Sequence, residues 1–398
     1  MNLDPTQLDA VEHAAKARFS VITGGAGTGK TTIIKALLDR LEANGDKPIL
    51  CAYAGKAAAR MKEATGADAS TIHRMLGYDG SGFRLDTLRG KTVIVDEASM
   101  VDSKMMAEII NRNPEKLILV GDYEQLPPVG EGQPFHDIIG NVPEAVYRLT
   151  KCYRNSEAVF RAATAIRNGD PVSMQEESET ERWRIIGTGN EARTHALILQ
   201  QVEAGFFDFD QDIILCPKNG DKDTPSTVKG LNASIAAIVA PRELHERLVP
   251  GDRVMNTKNL PNKDIWNGTT GKVQAVDTDG GVHMELDEPI IDWKRSGLEE
   301  TVYKSSIRLT KQEAAKLELA YAMTVHKSQG SQYRKVCFVC LSRDARALLT
   351  RSLIYTAVTR TRQECIVVGE HWAFLEGCKR EQNKSTLIQR LAQMESSV

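Results

Sequence analysis

The segment GGAGTGKT, at residues 24–31, has the residue types and spacing that bind phosphate. It follows the apolar run FSVIT and precedes the amphipathic run TIIKALLDRLEA, so it joins a predicted strand to a predicted helix. The backbone N–H groups of such a loop, together with the helix N-terminus, hold phosphate oxygens. Lys30 would place its charge on the β and γ phosphates, and Thr31 would place its hydroxyl on Mg²⁺. The predicted nucleotide-binding residues of this loop are Gly24, Gly25, Gly27, Thr28, Gly29, Lys30, Thr31 and Thr32.

Two adjacent carboxylates stand at the end of a second apolar run, VIVDEAS. Asp96 and Glu97 would lie at the C-terminal tip of a core strand, where parallel α/β sheets bind their ligands. There Asp96 would hold the magnesium ion, and Glu97 would polarise an attacking water as a general base. Two neighbouring acids at this place favour hydrolysis of the nucleotide over its use as a simple switch.

A glutamine precedes the first strand, in LDPTQLDAV. The side-chain amide of Gln7 can read the adenine edge, whereas the ordinary alternative is a glutamine on a helix surface. Next to a phosphate-binding loop the adenine role is favoured. We therefore expect ATP as the nucleotide and Mg²⁺ as its metal.

The elements that must position these groups alternate along the chain. The strands RFSVIT, PILCAYA, KTVIVDEAS and KLILVGD alternate with amphipathic helices, and DQDIILCPKNG, KVCFVCLS and QECIVVGE repeat the pattern later. One helix is predicted over residues 344–361. This alternation predicts an α/β fold with mostly parallel sheets that helices cover on both faces.

Two insertions interrupt the alternation. The Gly-rich segment LGYDGSGFRLDTLRGK predicts a small β-hairpin at about residues 76–90. Short strands with Gly and Asp turns predict a small β-barrel-like insertion at about residues 248–312. We expect one domain over residues 1–145 and a second over residues 146–398.

Composition limits the class of protein. The formal net charge of −2 argues against a positively charged coat, although a local basic groove can still bind nucleic acid. The chain has no apolar run of about 18 residues and no signal pattern at its N-terminus, so we expect a cytoplasmic protein without a membrane span. Its seven cysteines are expected to be reduced, with Cys337 and Cys340 in a buried strand instead of a zinc site.

Further segments resemble, in order, the motifs of a known family. The segments that look like motifs Ia, Ib, III, IV, V and VI are GKAAARM (55–61), STIHRMLGY (70–78), GDYEQLPPVG (121–130), CYRN (152–155), AYAMTVHKSQGSQY (320–333) and YTAVTRTR (355–362). Together they resemble the RecD-like, B-type branch of superfamily 1 helicases, to which Dda also belongs. The resemblance covers nearly the whole chain, from about residue 5 to residue 370.

The resemblance implies two RecA-like P-loop domains in tandem, with ATP in the cleft between them and single-stranded DNA across both. Gln125 would sense the γ-phosphate, and Gln329, followed by Gly330, would be its counterpart in the second domain. The alternative for either glutamine is that it merely caps a loop.

The same resemblance assigns roles to two arginines and a tyrosine. Arg154 and Arg360 would stabilise charge on the transferring phosphoryl group. Each arginine has the alternative of a surface ion pair. Tyr153 would stack on the adenine, or it would be a core tyrosine.

A DNA track is also implied. Its candidate residues in motifs Ia, Ib and V are Lys56, Thr71, His73, Thr324, His326 and Lys327. Small hydroxyl donors and single cations suit a track that must release the strand at each step. Both histidines have a rival interpretation as structural residues. Motif Ia also departs from the RecD pattern, because Ala52-Tyr53-Ala54 stands in place of the usual Thr-Pro-Thr. The hydroxyl donors are absent, and Tyr53 could stack on a base or pack inward.

Both insertions contain aromatic residues that could meet DNA. The first sits where family members carry a β-hairpin pin, so Phe83 could stack against the last base pair, or the segment could be a plain surface hairpin. The second resembles the small β-barrel of RecD-like enzymes. There Trp266 and Asn267 could face DNA, or Trp266 could belong to the barrel core.

These observations lead us to expect an ATP hydrolase that moves 5′ to 3′ on single-stranded DNA and unwinds duplex DNA. Its expected partners are single-stranded and forked DNA, and we expect a monomer that could meet replication or recombination proteins. The length fits a compact stand-alone helicase of the Dda type. The polarity comes only from the resemblance. The alternative is an ATP-dependent loading factor, or a translocase that acts on RNA, and a small-molecule kinase is disfavoured because it would not need Glu97 or the two arginines.

Overall fold

The computed structural model describes residues 3–151, 153, 157–170, 172–178, 182–243, 246–263, 265–291, 303–345 and 348–381, and Arg154 lies outside them. Two compact units divide the chain: the first is Met1–Asn155 with Glu381–Val398, and the second is Ser156–Arg380. The domain limits of 1–145 and 146–398 stay predictions.

The first unit is built on a parallel sheet. Its strands are β1 (Phe19–Gly24), β2 (Ile49–Ala52), β3 (Ala69–Thr71), β4 (Thr92–Asp96), β5 (Lys116–Gly121) and β6 (Val146–Leu149). Its helices are α1 (Pro5–Lys16), α2 (Lys30–Ala43), α3 (Gly55–Thr65), α4 (Ile72–Met75), α5 (Ser103–Ile110) and α6 (Pro134–Asn141). The strand order is β3-β2-β4-β5-β1-β6, and every neighbouring pair is parallel.

Apolar side chains on alternate positions of these strands divide between two faces of the sheet. Ile22 and Ile94 pack with residues of α1, α2 and α3, whereas Val21 and Val95 pack with residues of α5 and α6. Because both faces are covered, the strands can be apolar throughout. Because β4, β5 and β1 are neighbouring parallel strands, their C-terminal ends lie at one edge of the sheet. This edge carries the acid pair, the Gln125 loop and the phosphate-binding loop.

The predicted hairpin in this unit is present but short, and backbone hydrogen bonds from Arg84 N to Gly77 O (3.2 Å) and from Leu85 N to Leu76 O (3.1 Å) join its two arms. Within residues 76–90, all of which the structure describes, strand pairing consists of one antiparallel bridge between Tyr78 and Phe83. Asp79 closes the turn by accepting hydrogen bonds from Ser81 N (2.9 Å) and Gly82 N (3.1 Å).

The second unit contains a mostly parallel sheet. Its strands are β7 (Gln175–Glu177), β8 (Arg182–Gly187), β9 (Ile213–Cys216), β15 (Ala322–Thr324), β16 (Tyr333–Cys340) and β17 (Thr361–Gly369), and five more strands, β10 to β14, form the insertion described below. The order is β15-β9-β16-β17-β8-β7, and all neighbours are parallel except β7 and β8. Cys337 and Cys340 are buried in β16, as predicted.

Helices cover this second sheet. They are α7 (Glu157–Asn168), α8 (Glu191–Glu203), α9 (Val228–Val239), α11 (Ser342–Ala345), α12 (Arg351–Val358) and α13 (His371–Lys379), whereas α10 (Lys311–Ala314) belongs to the insertion. Where one helix was predicted over residues 344–361, the structure has α11 and then α12. The Thr350 hydroxyl accepts a hydrogen bond from Leu353 N (3.3 Å) and so begins α12 anew.

The insertion of the second unit is an antiparallel sheet with a core of its own. Its strands are β10 (Arg253–Asn256), β11 (Thr270–Val276), β12 (Val282–Ile291), β13 (Tyr303–Leu309) and β14 (Leu317–Leu319), in the order β13-β12-β11-β10-β14. Val254, Met284 and Leu309 lie at its centre with no exposed surface. The predicted α/β architecture, with two mainly parallel sheets and a separate β insertion in the second half, is confirmed.

Among the described residues, no helix combines the length and the apolar character needed to cross a membrane.

Candidate active site

The phosphate-binding loop has the backbone that its glycines allow. Gly27 and Gly29 have φ angles of 80° and 84°, in the left-handed region that side chains disfavour. A Cβ at Gly24 would lie 2.6 Å from Thr28 Oγ1 and 2.8 Å from Leu149 Cβ. A side chain at this position would therefore collide with Thr28 and Leu149, so the loop requires glycine there.

Lys30 begins α2, and its ammonium turns back over the loop. Nζ donates hydrogen bonds to the carbonyl oxygens of Gly24 (2.7 Å) and Gly25 (3.0 Å). These two carbonyl oxygens hold the Lys30 ammonium at the opening of the loop. When a nucleotide binds, phosphate oxygens would take their place as acceptors for the ammonium. Thr31, also in the first turn of α2, is half-buried, whereas Thr32 is exposed.

The acid pair ends β4 as predicted. Asp96 Oδ1 accepts a hydrogen bond from Glu97 N (2.8 Å). Burial raises the pKa of the Asp96 carboxyl to about 6, the charge of Glu97 adds to this effect, and Lys30 is among the cations that oppose it. A carboxylate that is costly to ionise gains from a nearby cation, so Asp96 fits the role of a magnesium ligand.

Glu97 has two features that mark a functional position. Its φ is 50°, which is a strained conformation for a residue with a side chain. Its Oε2 atom is buried and has no hydrogen-bond partner among the described residues. The carboxylate is therefore held ready for a group that the protein itself does not supply, such as a water molecule.

The loop after β5 holds Gln125 through an aspartate that the sequence analysis did not single out. Asp122 is fully buried, and its carboxylate accepts hydrogen bonds from Gln125 Nε2 (3.2 Å) and Glu124 N (3.1 Å). Tyr123 N donates to Thr23 Oγ1 (3.3 Å), which ties this loop to the end of β1. Gln125 Oε1 is buried, and no residue that the structure describes bonds to it. Two sequence signals pointed to Asp122, namely its place directly after a buried strand and its place in the segment that resembles motif III.

The structure brings Gln7 and Tyr153 to the same side of the phosphate-binding loop. Gln7 is 4% exposed, its Nε2 donates to Thr28 O (3.1 Å), and its Oε1 accepts from Asp4 N (3.2 Å) in a capping box. Tyr153 N donates to Gly27 O (2.9 Å), and the Tyr153 hydroxyl donates to the Asp4 carboxylate. Tyr153 keeps 43% of its surface exposed, so its ring is available for stacking.

In the second unit, Arg360 and Gln329 are nearly buried, at 3% and 6% exposed. Arg360 Nη1 donates to Ser331 O (3.3 Å), and Nε donates to Thr356 O (3.2 Å). The guanidinium is thus held against the segment that follows Gln329 and Gly330.

The predicted DNA residues of the first unit occupy varied surroundings. Lys56 is half-buried in the first turn of α3. Thr71 caps α4, because its hydroxyl accepts from Arg74 N (3.2 Å). His73 is enclosed by aromatic rings, with centroid distances of 5.5 Å to Tyr78 and 5.9 Å to Phe83. Burial lowers the pKa of His73, which favours a neutral ring over a phosphate-binding cation.

Tyr53 and Phe83 belong to the same aromatic group. Tyr53 lies 6.3 Å from His73 and packs against the core of the unit, which favours the inward orientation of the two that the sequence left open. Phe83 is half-buried beside Tyr78, and the Arg112 guanidinium lies 5.7 Å from its ring centre. The exposed end of the turn is formed instead by Asp79, Gly80 and Ser81. The wedge role of Phe83 stays a prediction.

The motif V residues follow β15. Thr324 ends that strand, and its hydroxyl accepts from Lys327 N (3.3 Å). His326 and Lys327 lie half-buried in the next turn, and Lys327 Nζ pairs with Glu318 Oε2 (3.1 Å). The structure therefore brings Thr324, His326 and Lys327 together at the C-terminal end of a parallel strand.

Asn232 anchors this segment and was missed from the sequence. Its Nδ2 donates to Leu319 O (2.8 Å) and Ala322 O (3.0 Å), and its Oδ1 accepts from Ala322 N (2.8 Å). All three bonds reach residues about 90 positions away, so no local sequence pattern could have indicated them.

Trp266 and Asn267 occupy a loop of the insertion. Trp266 is half-buried, and its carbonyl accepts from Asn256 Nδ2 (3.1 Å). Asn267 is exposed, and its backbone N–H donates to Asn259 Oδ1 (2.9 Å). Their contact with DNA stays a prediction.

Two family models match the chain. Residues 2–187 match an AAA domain, and residues 319–368 match a UvrD-like helicase C-terminal domain.

Curated relatives match nearly the full chain. The ATP-dependent RecD2 DNA helicase of Deinococcus radiodurans is 32% identical over 98% of this chain, which spans 52% of that protein. The RecBCD enzyme subunit RecD of Mycolicibacterium smegmatis is 31% identical over 96% of this chain and 74% of its own length. The corresponding subunit of Mycobacterium tuberculosis is 32% identical, with 92% of this chain and 70% of that protein covered. The chain thus spans about half the length of one of these relatives and about 70% of the other two.

Two solved structures share the fold over the whole chain. One, of two coordinating Pif1 helicases at forked double-stranded DNA, is 20% identical with a TM-score of 0.57, covering 100% of this chain and 98% of that one. The other, of Bacteroides Pif1 bound to single-stranded DNA, is 22% identical with a TM-score of 0.51 and the same coverage.

Proposed function

The chain belongs to the RecD family of superfamily 1 helicases, and from that membership we propose that it hydrolyses ATP to move 5′ to 3′ along single-stranded DNA and to unwind duplex DNA. One observation carries the hydrolytic part of this proposal. The open phosphate cradle, the acid pair and the Gln125 loop follow β1, β4 and β5 at one edge of a parallel sheet, with Glu97 Oε2 and Gln125 Oε1 buried and unpartnered.

The residues of this edge suit attack by water on the γ-phosphorus. Glu97 would accept a proton from the attacking water while the bond from the γ-phosphorus to the bridging oxygen breaks. Lys30 would stabilise the charge that collects on the β and γ phosphates. Gln125, held by Asp122, would orient the water or the γ-phosphate. Mg²⁺, held by Thr31 and Asp96, would neutralise phosphate charge when bound.

Other proposed nucleotide contacts follow the resemblance. Gln7 would bind the adenine edge and Tyr153 would stack on the ring, which their position beside the phosphate-binding loop supports. Arg154, Arg360 and Gln329 would respond to the γ-phosphate and so link hydrolysis to movement.

The proposed substrate is single-stranded DNA and the forks that contain it. The order of motifs Ia, Ib and V supports this proposal, and the described Pif1 structures contain forked and single-stranded DNA. The proposed contact residues are Lys56, Thr71, His73, Phe83, Trp266, Asn267, Thr324, His326 and Lys327. We further propose that the protein acts as a monomer in the cytoplasm, and the six cysteines described as buried free thiols fit a reducing compartment.

ATP hydrolysis by a Lys30→Ala variant tests the site. We expect DNA-stimulated hydrolysis to fall by about 100-fold or more, because the variant loses charge stabilisation in the transition state. The measurement is phosphate release with and without single-stranded DNA. Lys104→Ala, which removes an exposed lysine from α5, is the matched control and should retain the wild-type rate. Normal stimulation in a folded Lys30→Ala protein would refute the assignment of the site.

A further inference from the structure

Lys327 forms an ion pair beside the segment that is proposed to hold DNA. Its Nζ atom lies 3.1 Å from Glu318 Oε2, and the two side chains are 30% and 47% exposed, respectively. Glu318 belongs to β14 of the insertion, whereas Lys327 follows β15 of the parallel sheet. The pair therefore links the five-stranded sheet to the motif V turn.

The backbone on each side of this pair is fixed. Glu318 pairs with Met255 in the ladder between β14 and β10. Lys327 N is bonded to Thr324 Oγ1, and Asn232 holds the start of β15 at Ala322. The pair can thus open by side-chain rotation alone.

The two residues of this pair act in opposite directions on a bound DNA strand, since Lys327 attracts its phosphates and Glu318 repels them. An exposed ion pair contributes little net stability, so a DNA phosphate can take the place of the carboxylate at Lys327. The displaced Glu318 carboxylate then remains close to the phosphate, and the two negative charges repel each other. Glu318 therefore competes for the lysine before binding and opposes the strand after it.

We propose that Glu318 limits the affinity of the DNA track, because its carboxylate competes with a DNA phosphate for Lys327. This inference rests on the proposed function and extends it by naming a group of the chain that weakens DNA binding. A translocating protein must release each phosphate before it can advance. A carboxylate next to the phosphate-binding lysine shortens the time for which that phosphate is held.

A double-mutant cycle tests the inference. The affinity of the full chain for fluorescent oligo-dT is measured by anisotropy, without nucleotide, for the wild type, Glu318→Gln, Lys327→Gln and the double variant. Glu318→Gln should bind roughly threefold to tenfold more tightly at low salt, and the gain should shrink as salt screens the charges. Lys327→Gln should bind more weakly. In the Lys327→Gln background, Glu318→Gln should change the affinity by less than about twofold, since the competition is gone.

Asp210→Asn is the matched control. Lys272 Nζ and Asp210 Oδ2 form an ion pair of the same 3.1 Å length, with side chains 39% and 52% exposed. This variant makes the same change in net charge and should leave the affinity for oligo-dT within about twofold of the wild type.

Each other outcome has a distinct meaning. Equal tightening by Glu318→Gln with and without Lys327, or by Asp210→Asn, would reveal a general charge effect and overturn the inference. Weaker binding by Lys327→Gln with no tightening by Glu318→Gln would overturn the inference and leave the proposed function standing. A wild-type chain that binds no oligo-dT would overturn the proposed function and this inference with it.

Discussion

Glu97 Oε2 and Gln125 Oε1 are buried oxygens to which no part of the described chain donates a hydrogen bond. Such an atom costs about 1–3 kcal/mol of folding free energy unless something bonds to it. Proteins keep such atoms where a ligand or water completes the bonding. At the edge of the sheet that carries the phosphate-binding loop, a water molecule suits both oxygens, because both are acceptors and water can donate to them.

Replacing Glu97 with Gln should separate binding from hydrolysis. The amide keeps the size of the side chain but cannot accept the proton of water, so single-turnover hydrolysis should fall by about 100-fold to 10,000-fold. ATP affinity, measured with a fluorescent analogue, should stay within a few fold of the wild type. Glu115→Gln, at an exposed position before β5, should change neither quantity. Wild-type turnover in Glu97→Gln would exclude this residue as the general base.

The sequence predicted the positions of those residues that belong to short contiguous motifs. Lys30 and Glu97 stand in contiguous motifs next to strand ends, so spacing alone predicted their place. Asp122 and Asn232 were missed because each acts by hydrogen-bonding to other residues and so fixing their position. The partners of Asn232 come from Leu319 and Ala322, which only the folded chain brings near.

At the scale of elements, apolar runs predicted the core strands. They did not predict where a capping side chain interrupts a helix. The Thr350 cap splits the helix predicted over residues 344–361. The small hairpin near Phe83 is present, and Asp79 closes its tip by accepting hydrogen bonds from Ser81 N and Gly82 N. The break in the helix arises from a side-chain to backbone bond, which apolar periodicity does not reveal.

Substitutions of Phe83 test whether the short hairpin at residues 76–90 separates the strands of duplex DNA. Phe83→Ala should leave DNA-stimulated ATP hydrolysis near the wild-type rate and lower the rate of unwinding severalfold, since a ring that stacks on the last base pair contributes about 1–3 kcal/mol. Phe83→Leu keeps apolar contact with His73 and Tyr78 but removes the ring, so it should show the same separation. Equal loss of hydrolysis and unwinding in both variants would mean that the turn is only structural.

The contact between α8 and α9 should make stability depend on pH. His195 Nδ1 accepts a hydrogen bond from Ser226 N (3.2 Å), and Nε2 lies 3.2 Å from Ser234 Oγ. Burial lowers the pKa of His195 below its ordinary value of 6.5, although the Glu191 charge opposes the shift. Protons therefore bind the unfolded state more readily, so the contribution of this contact is complete above pH 6.5 and is lost as the pH falls.

A His195→Gln variant should lose part of that dependence, because the amide can bond but does not titrate in this range. The measurement is the urea midpoint between pH 7.5 and pH 5.5. We expect a smaller fall in the variant than in the wild type. The same fall in both proteins would contradict the assigned role of His195.

At the scale of the whole molecule, the two mainly parallel sheets were predictable because strands and helices alternate twice along the chain. An antiparallel insertion with its own core interrupts the second sheet between β9 and β15, where short strands with Gly and Asp turns predicted it. Residues 282–287 of β12 alternate between buried and exposed, whereas all of β10 is buried, so the strands of the insertion differ in how clearly a local pattern marks them.

The measurement that tests the central claim most directly compares two matched DNA forks in the presence of ATP and Mg²⁺. One fork has only a 5′ single-stranded tail, and the other has only a 3′ tail. The proposed motor should open the 5′-tailed fork and leave the 3′-tailed fork closed, and Lys30→Ala should open neither. Opening of the 3′-tailed fork alone would contradict the 5′ to 3′ direction, and failure to open either fork while single-stranded DNA still stimulates ATP hydrolysis would contradict unwinding itself.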